Sequence, residues 1–217
     1  MKKLFPLFLL VIGLFVISST NDIAFASESD NDELITENLT TLNQEVDLIV
    51  NPLAVDNENY YPGTKTFLKP GDVIYSSKTF ISSTKIVGHV AIVGPDYYIY
   101  HVNPSGSVAG KRDTLTQYRG RHDTGEKLKV YRPSSGGEKA ATWAKNNYGS
   151  AINYKLSNLS VKVIKDNYCS KFLWQAFYYG SGYDVSGSGY TDSFTGWVLP
   201  SMFTTTSKLF YLTSFNS

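Results

Sequence analysis

Gly88-His89-Val90-Ala91-Ile92-Val93-Gly94-Pro95-Asp96-Tyr97-Tyr98-Ile99-Tyr100-His101-Val102 is the stretch that decides how this chain folds. Two runs of β-branched and aromatic residues, 88–93 and 97–102, flank a Gly-Pro-Asp turn, the composition of a β-hairpin. A three-residue turn at 94–96 sets Val93 against Tyr97 and, counting back, His89 directly opposite His101. Both imidazoles then share a face with the small Ala91, which leaves room for a helix to approach. A four-residue turn puts the two histidines on opposite faces, so the pairing depends on the turn.

Working outward, Asp72–Ser76 and Lys127–Tyr131 read as further strands, with a last strand at Leu209–Thr213. Two helices are expected. Glu138–Tyr148 follows Gly136-Gly137, and Asn167–Tyr179 is closed by Gly180. The second carries Cys169, Phe172, Leu173, Ala176 and Phe177 at the spacing of a buried helical stripe. The fold class is therefore α+β, a small antiparallel sheet packed by helices.

The 217 residues suffice for one domain and a leader. Lys2 and Lys3, the apolar run Leu4 to Ile17 and the small residues around Ala24-Phe25-Ala26 read as a signal peptide over 1–26, with the product secreted or wall-associated. The run is shorter than the ~20 residues of a spanning helix. Residues 27–62 hold nine acidic and no basic side chains, which suggests an acidic linker or pro-segment ended by Pro62-Gly63. The domain at 63–217 has eighteen basic and nine acidic residues, a net of +9. That charge suits an anionic polymer or lipid surface. Scattered basic residues and no reading motif argue against nucleic acid.

Cys169 is the only cysteine, so it is either a buried bystander or a reactive thiol. Capping by Asp166 or Asn167 places it in the first helical turn, where the helix dipole favours a thiolate and lowers the thiol pKa. With the helix aimed at the histidine face, Cys169 is the candidate nucleophile, His89 the base and His101 the group that orients His89. His122, among Arg119, Arg121 and Asp123, reads as solvated. No short-spaced Cys or His pair suggests zinc, and neither metal nor cofactor is expected.

The order Gly-Asp-Val-Ile-Tyr (71–75), Gly-His-Val-Ala-Ile-Val (88–93), Tyr-Cys-Ser-Lys-Phe-Leu-Trp-Gln-Ala-Phe (168–177) and Val-Leu-Pro-Ser (198–201) resembles the circularly permuted NlpC-type branch of papain-like hydrolases. These are the YiiX/YebB-like proteins, which share a branch with lecithin:retinol acyltransferase-like enzymes. The resemblance implies a histidine strand ahead of the cysteine helix, with His89 as base, Cys169 as nucleophile and His101 where many relatives have Glu. It also implies that Tyr154 lines the site near the thiol. Lys171 stands where the family usually has an acid. The function so implied is hydrolysis of an amide, in cell-wall peptide, through a thioester acyl-enzyme. Acyl transfer or lipid hydrolysis at the same residues, and a non-catalytic surface-binding module, are the alternatives.

Overall fold

The computed structural model describes residues 59–78, 87–157 and 159–217. The leader at 1–26 and the acidic segment up to 58 lie outside the described residues. Strands β1 (Val73–Ser76), β2 (His89–Val93), β3 (Ile99–Val102), β4 (Gly110–Asp113), β5 (Lys127–Pro133) and β8 (Leu209–Asn216) form one antiparallel sheet in the order β4-β3-β2-β1-β5-β8. A short parallel pair joins β6 (Asn153–Tyr154) and β7 (Asp166–Asn167). The helices are α1 (Leu115–Arg119), α2 (Gly137–Asn147), α3 (Cys169–Ser181) and α4 (Met202–Thr205). The expected α+β class holds.

Strand alternation divides the core into two layers. Val73, Val90, Ile92, Tyr100 and Val102 pack with Phe172, Leu173 and Ala176 of α3 and with Ala140 and Ala144 of α2. Ile74, Ala91, Val93, Ile99, Leu128 and Val130 point the other way and pack with Tyr61, Tyr118 and Phe215. The stripe read from the sequence on α3 is buried as expected, and the helix is buried on its other sides too, at Ser170, Lys171, Trp174 and Gln175. Its end differs from the expectation. Gly180 lies within the helix, where a Cβ would come 2.6 Å from the Lys139 carbonyl oxygen, so it lets α2 and α3 approach closely. Gly182, at φ 78°, is the C-cap.

The hairpin turn also differs. Gly94 N–H bonds the Tyr98 carbonyl at 2.7 Å, the loop is 95–97, and Tyr97 takes φ 61°. Val93 therefore pairs with Ile99, not Tyr97. A slip of two residues preserves side-chain parity, so His89 and His101 stay on one face but become diagonal rather than direct neighbours.

The sequence reading has no strand at β4 and no helix at α1. Gly110-Lys111-Arg112-Asp113 lacks the β-branched residues that mark a strand. It lies at the sheet edge, where a Cβ on Gly110 would sit 1.7 Å from the Tyr148 carbonyl oxygen. Helix α1 starts from a capping box formed by Thr114 and Gln117.

The folded unit takes in residues 59–62, which the sequence reading assigns to the linker. Tyr61 is fully buried and donates to Asp72 at 3.0 Å. Asp72, itself fully buried, also accepts a two-pronged contact from Arg132, at 2.7 Å on each oxygen, and the Lys69 N–H at 3.0 Å. Removing one partner of such a pair strands the other. Asp72→Ala should cost about 3–5 kcal/mol in urea unfolding, with Asp72→Asn costing less because the amide oxygen still accepts.

Candidate functional site

The site is built on the sheet face opposite α3. His89 and His101 share the parity of Ala91, Val93 and Ile99, the layer that packs with Tyr118. This corrects the expectation that α3 lies over the histidine face. The small Ala91 makes room for the layer of Tyr118, while Val90 and Ile92 meet α3.

Three successive side chains on β2, β3 and β4 then touch. His89 Nε2 lies 3.0 Å from His101 Nδ1, and His101 Nε2 lies 2.8 Å from Asp113 Oδ2. Arg121 grips the same carboxylate, Nε to Oδ2 at 2.5 Å and Nη2 to Oδ1 at 2.8 Å. Burial raises the Asp113 pKa, but the contacts from His101 and Arg121 outweigh it and hold the carboxyl well below its ordinary range.

The proton positions follow in order. An ionised carboxylate only accepts, so His101 Nε2 carries a hydrogen and donates. Burial lowers the His101 pKa, so its ring is neutral and Nδ1 is an acceptor. His89 Nε2 must then donate to it. Burial, followed by repulsion from His101, pushes the His89 pKa well below 6.5, so that ring is neutral too. His89 Nδ1 is left as the basic nitrogen.

Cys169 meets strand β2 next to the relay, at Val90. Val93 N–H donates to Asp72, so in an antiparallel ladder the N–H groups of Ile92 and Val90 face β3. The β2–β3 ladder stops at Ile92–Tyr100, leaving Val90 beyond the paired residues. The Val90 N–H lies against the Cys169 thiol instead. The sulfur therefore sits at the open end of the ladder, one residue along from His89. Cys169 is the first residue of α3, after Tyr168 as N-cap. Neither Asp166 nor Asn167 caps the helix: Asn167 Oδ1 accepts from Tyr168 N–H, and its amide nitrogen donates to Gln175.

The thiol departs from the sequence expectation. Burial pushes its pKa up to about 11, against the lowering effect of the Val90 N–H, the Ser170 hydroxyl and the N–H groups at the helix start. The resting pair is thus a neutral thiol and a neutral imidazole. Tyr154, on β6 opposite Asn167, has its pKa raised by burial and then by the Cys169 charge, as does Tyr168, which reaches about 12. Lys171 is fully buried, donates to the Asp166 carbonyl at 2.9 Å, and is lowered by burial to about 8.

Sequence reasoning missed Asp113, Arg121, Tyr118 and His122. His122 is not solvated. Its side chain is 2% exposed, with Nδ1 3.4 Å from Glu126 Oε2. Glu126 also accepts from Ser76, whose backbone pairs with His89. The Thr114-x-x-Gln117 capping box signals a helix start directly after Asp113 and was the available clue. Among the described residues no group of three or more His, Cys, Asp or Glu is arranged to hold a metal ion.

Two outcomes follow. Asp113→Asn lets an amide donate to His101 Nε2, which reverses both tautomers and leaves a hydrogen on His89 Nδ1. Activity should fall by about 10²–10⁴, as when a triad carboxylate becomes an amide, with the fold retained by circular dichroism. Separately, unfolded His89 and His101 take up protons near pH 6.5 while the folded rings do not. Thermal stability should therefore fall as pH drops from about 7 to 5.

The sequence matches the family described as lipoprotein N-acylation protein LnsA-like over residues 40–209. A relative from Bacillus thuringiensis, named only as an uncharacterized 30.3 kDa protein, is 32% identical over 154 residues. That alignment covers 62% of this chain and 56% of the relative, so the chain spans about half the length of that protein. The crystal structure of the metalloprotein YiiX from Escherichia coli O157:H7 matches with a TM-score of 0.49 and 19% identity, covering 67% of this chain and 96% of that one. Because the family match takes in well over half of the sequence, this protein belongs to the LnsA-like lipoprotein N-acylation family.

Proposed function

We propose that this protein is a cysteine acyltransferase that carries an acyl group on Cys169 as a thioester and passes it to an amine. The observation that carries the reading is the Asp113–His101–His89 relay, which ends in a basic nitrogen beside the residue whose N–H meets the thiol. His89 Nδ1 takes the thiol proton as the sulfur attacks an ester carbonyl. The protonated ring then returns that proton to the leaving alcohol, and Cys169 holds the acyl group. An incoming amine attacks the thioester, gives its proton to His89, and leaves as the amide while the thiol is restored. Helix α3 starts with no side-chain cap, so the backbone N–H groups of its first turn are placed to stabilise the oxyanion.

The family description points to the N-terminal amine of a lipoprotein as acceptor and so to a lipid as acyl donor. A leader at 1–26 would bring the enzyme to the outer side of a membrane, where lipid-anchored substrates are held, and the net charge of +9 over 63–217 suits anionic headgroups. The cell-wall amide hydrolase read from the sequence uses the same residues with water as acceptor. The histidine strand ahead of the cysteine helix is an order that the resemblance gives to hydrolases and acyltransferases alike, so it fits both readings.

The test incubates the protein with phospholipid vesicles and a diacylated lipopeptide bearing a free N-terminus, followed by intact-mass spectrometry. A hydroxylamine-labile acyl adduct on Cys169 and an N-acylated lipopeptide are expected, both lost in Cys169→Ala. Cleavage of cell-wall peptide with no acyl adduct from lipid would favour the hydrolase. Undiminished turnover by Cys169→Ala would remove both.

A further inference from the structure

Three aromatic side chains stand exposed at the β8 edge of the six-stranded sheet, on segments that carry none of the relay. Tyr60 is 44% exposed, Phe67 38% and Phe210 48%. Tyr60 and Phe67 meet edge to face across an antiparallel bridge, with ring centroids 5.1 Å apart. Phe210, on edge strand β8, pairs with Arg132 of β5, and the Arg132 guanidinium donates to the Phe67 carbonyl at 2.8 Å. The three rings therefore belong to one patch. Their placement is held from beneath. Tyr61 and Leu68 are buried, and Tyr61 stacks on Phe215 of β8 with centroids 5.3 Å apart. Adjacent side chains of extended backbone point to opposite sides, so burying Tyr61 and Leu68 turns Tyr60 and Phe67 outward.

The charge around the patch has one sign. Residues 59–71, 127–133 and 201–217 contain Lys65, Lys69, Lys127, Lys129, Arg132 and Lys208 and no Asp or Glu. Lys65, Lys69 and Lys208 are exposed, each two residues from Phe67 or Phe210. Asp72 and Glu126, which adjoin these segments in sequence, are buried and bound, the first to Arg132 and Tyr61 and the second to Ser76. Exposed rings beside exposed lysines are the chemistry of the membrane interface, where aromatic side chains sit at headgroup level and cations meet anionic phosphates.

We propose that Tyr60, Phe67 and Phe210, with Lys65, Lys69 and Lys208, dock the folded domain on an anionic phospholipid surface. The rings enter the headgroup layer and the lysines pair with headgroup phosphates. A polyanionic wall polymer would engage the lysines alone and leave the rings in water, so the rings favour lipid. The chain that carries the apolar run Leu4–Ile17 joins the domain at Asn59 and Tyr60, inside the patch. This inference concerns the surface that the domain lies on and not the chemistry at Cys169, so it does not depend on acyl transfer.

Phosphatidylglycerol vesicles containing a phospholipid with a diazirine near its headgroup read the contact directly. The full-length protein is mixed with them, irradiated and digested, and the adducts are mapped by mass spectrometry. The map is local, so insertion of the leader does not obscure it. Within the domain, adducts should concentrate on residues 59–69 and 208–212. They should fall about tenfold in the triple variant Lys65→Glu, Lys69→Glu, Lys208→Glu, and about tenfold on phosphatidylcholine vesicles. Phe67→Ser with Phe210→Ser should lower adducts at Tyr60 and Tyr211 as well, with the fold retained by circular dichroism. Cys169→Ala should label as wild type does, so docking and the acyl-enzyme are judged apart. Adducts absent from the domain, spread evenly over it, centred on another face, or unmoved by the lysine changes would overturn the proposal. So would shielding of these rings from a water-soluble diazirine before vesicles are added, which would give the patch to a second copy or to the acidic segment 27–58.

Discussion

The clamp of Arg121 and His101 on the Asp113 carboxylate is the interaction on which the site depends. A buried carboxylate without these partners would rise in pKa and take up a proton. Held ionised, it fixes which nitrogen of His101 bears hydrogen, and His101 in turn fixes His89. The direction of the relay is thus set on β4, two strands away from the base it prepares. Burial keeps the thiol and the His89 imidazole neutral before reaction.

The sheet makes this possible in two ways. Diagonal contact between strands requires three polar side chains of the same parity on β2, β3 and β4, and the β2–β3 and β3–β4 registers supply it. The thiol must also reach that layer although α3 packs on the other face. The early end of the β2–β3 ladder solves this by freeing the Val90 N–H for the sulfur. A ladder paired through His89 and Asn103 would take up the Val90 N–H and separate the cysteine from the relay.

Much of this was legible in the sequence, and the failures have physical causes. The apolar stripe of α3 and the hairpin strands follow from spacing, and the shared parity of His89 and His101 survived an error in the turn because the error was an even number of residues. The face of the sheet that α3 covers was not legible, because both faces of β2 are buried and Val90-Ala91-Ile92-Val93 has no polar side to mark solvent. Strand β4 was hidden by its polar composition, and with it Asp113. The thiol pKa was misjudged because a helix start lowers it by proximity to a few N–H groups, whereas burial acts on the whole charge. His122 looked solvated because its sequence neighbours are charged, yet its contacts are made by Tyr118 and Glu126.

The central claim is the order of hydrogens along the relay, and nitrogen-15 NMR of imidazole-labelled protein at neutral pH tests it most directly. The account predicts two neutral rings, both protonated on Nε2, with unprotonated Nδ1 on His101 and on His89. A doubly protonated His101, or a hydrogen on Nδ1 of His89, would contradict it.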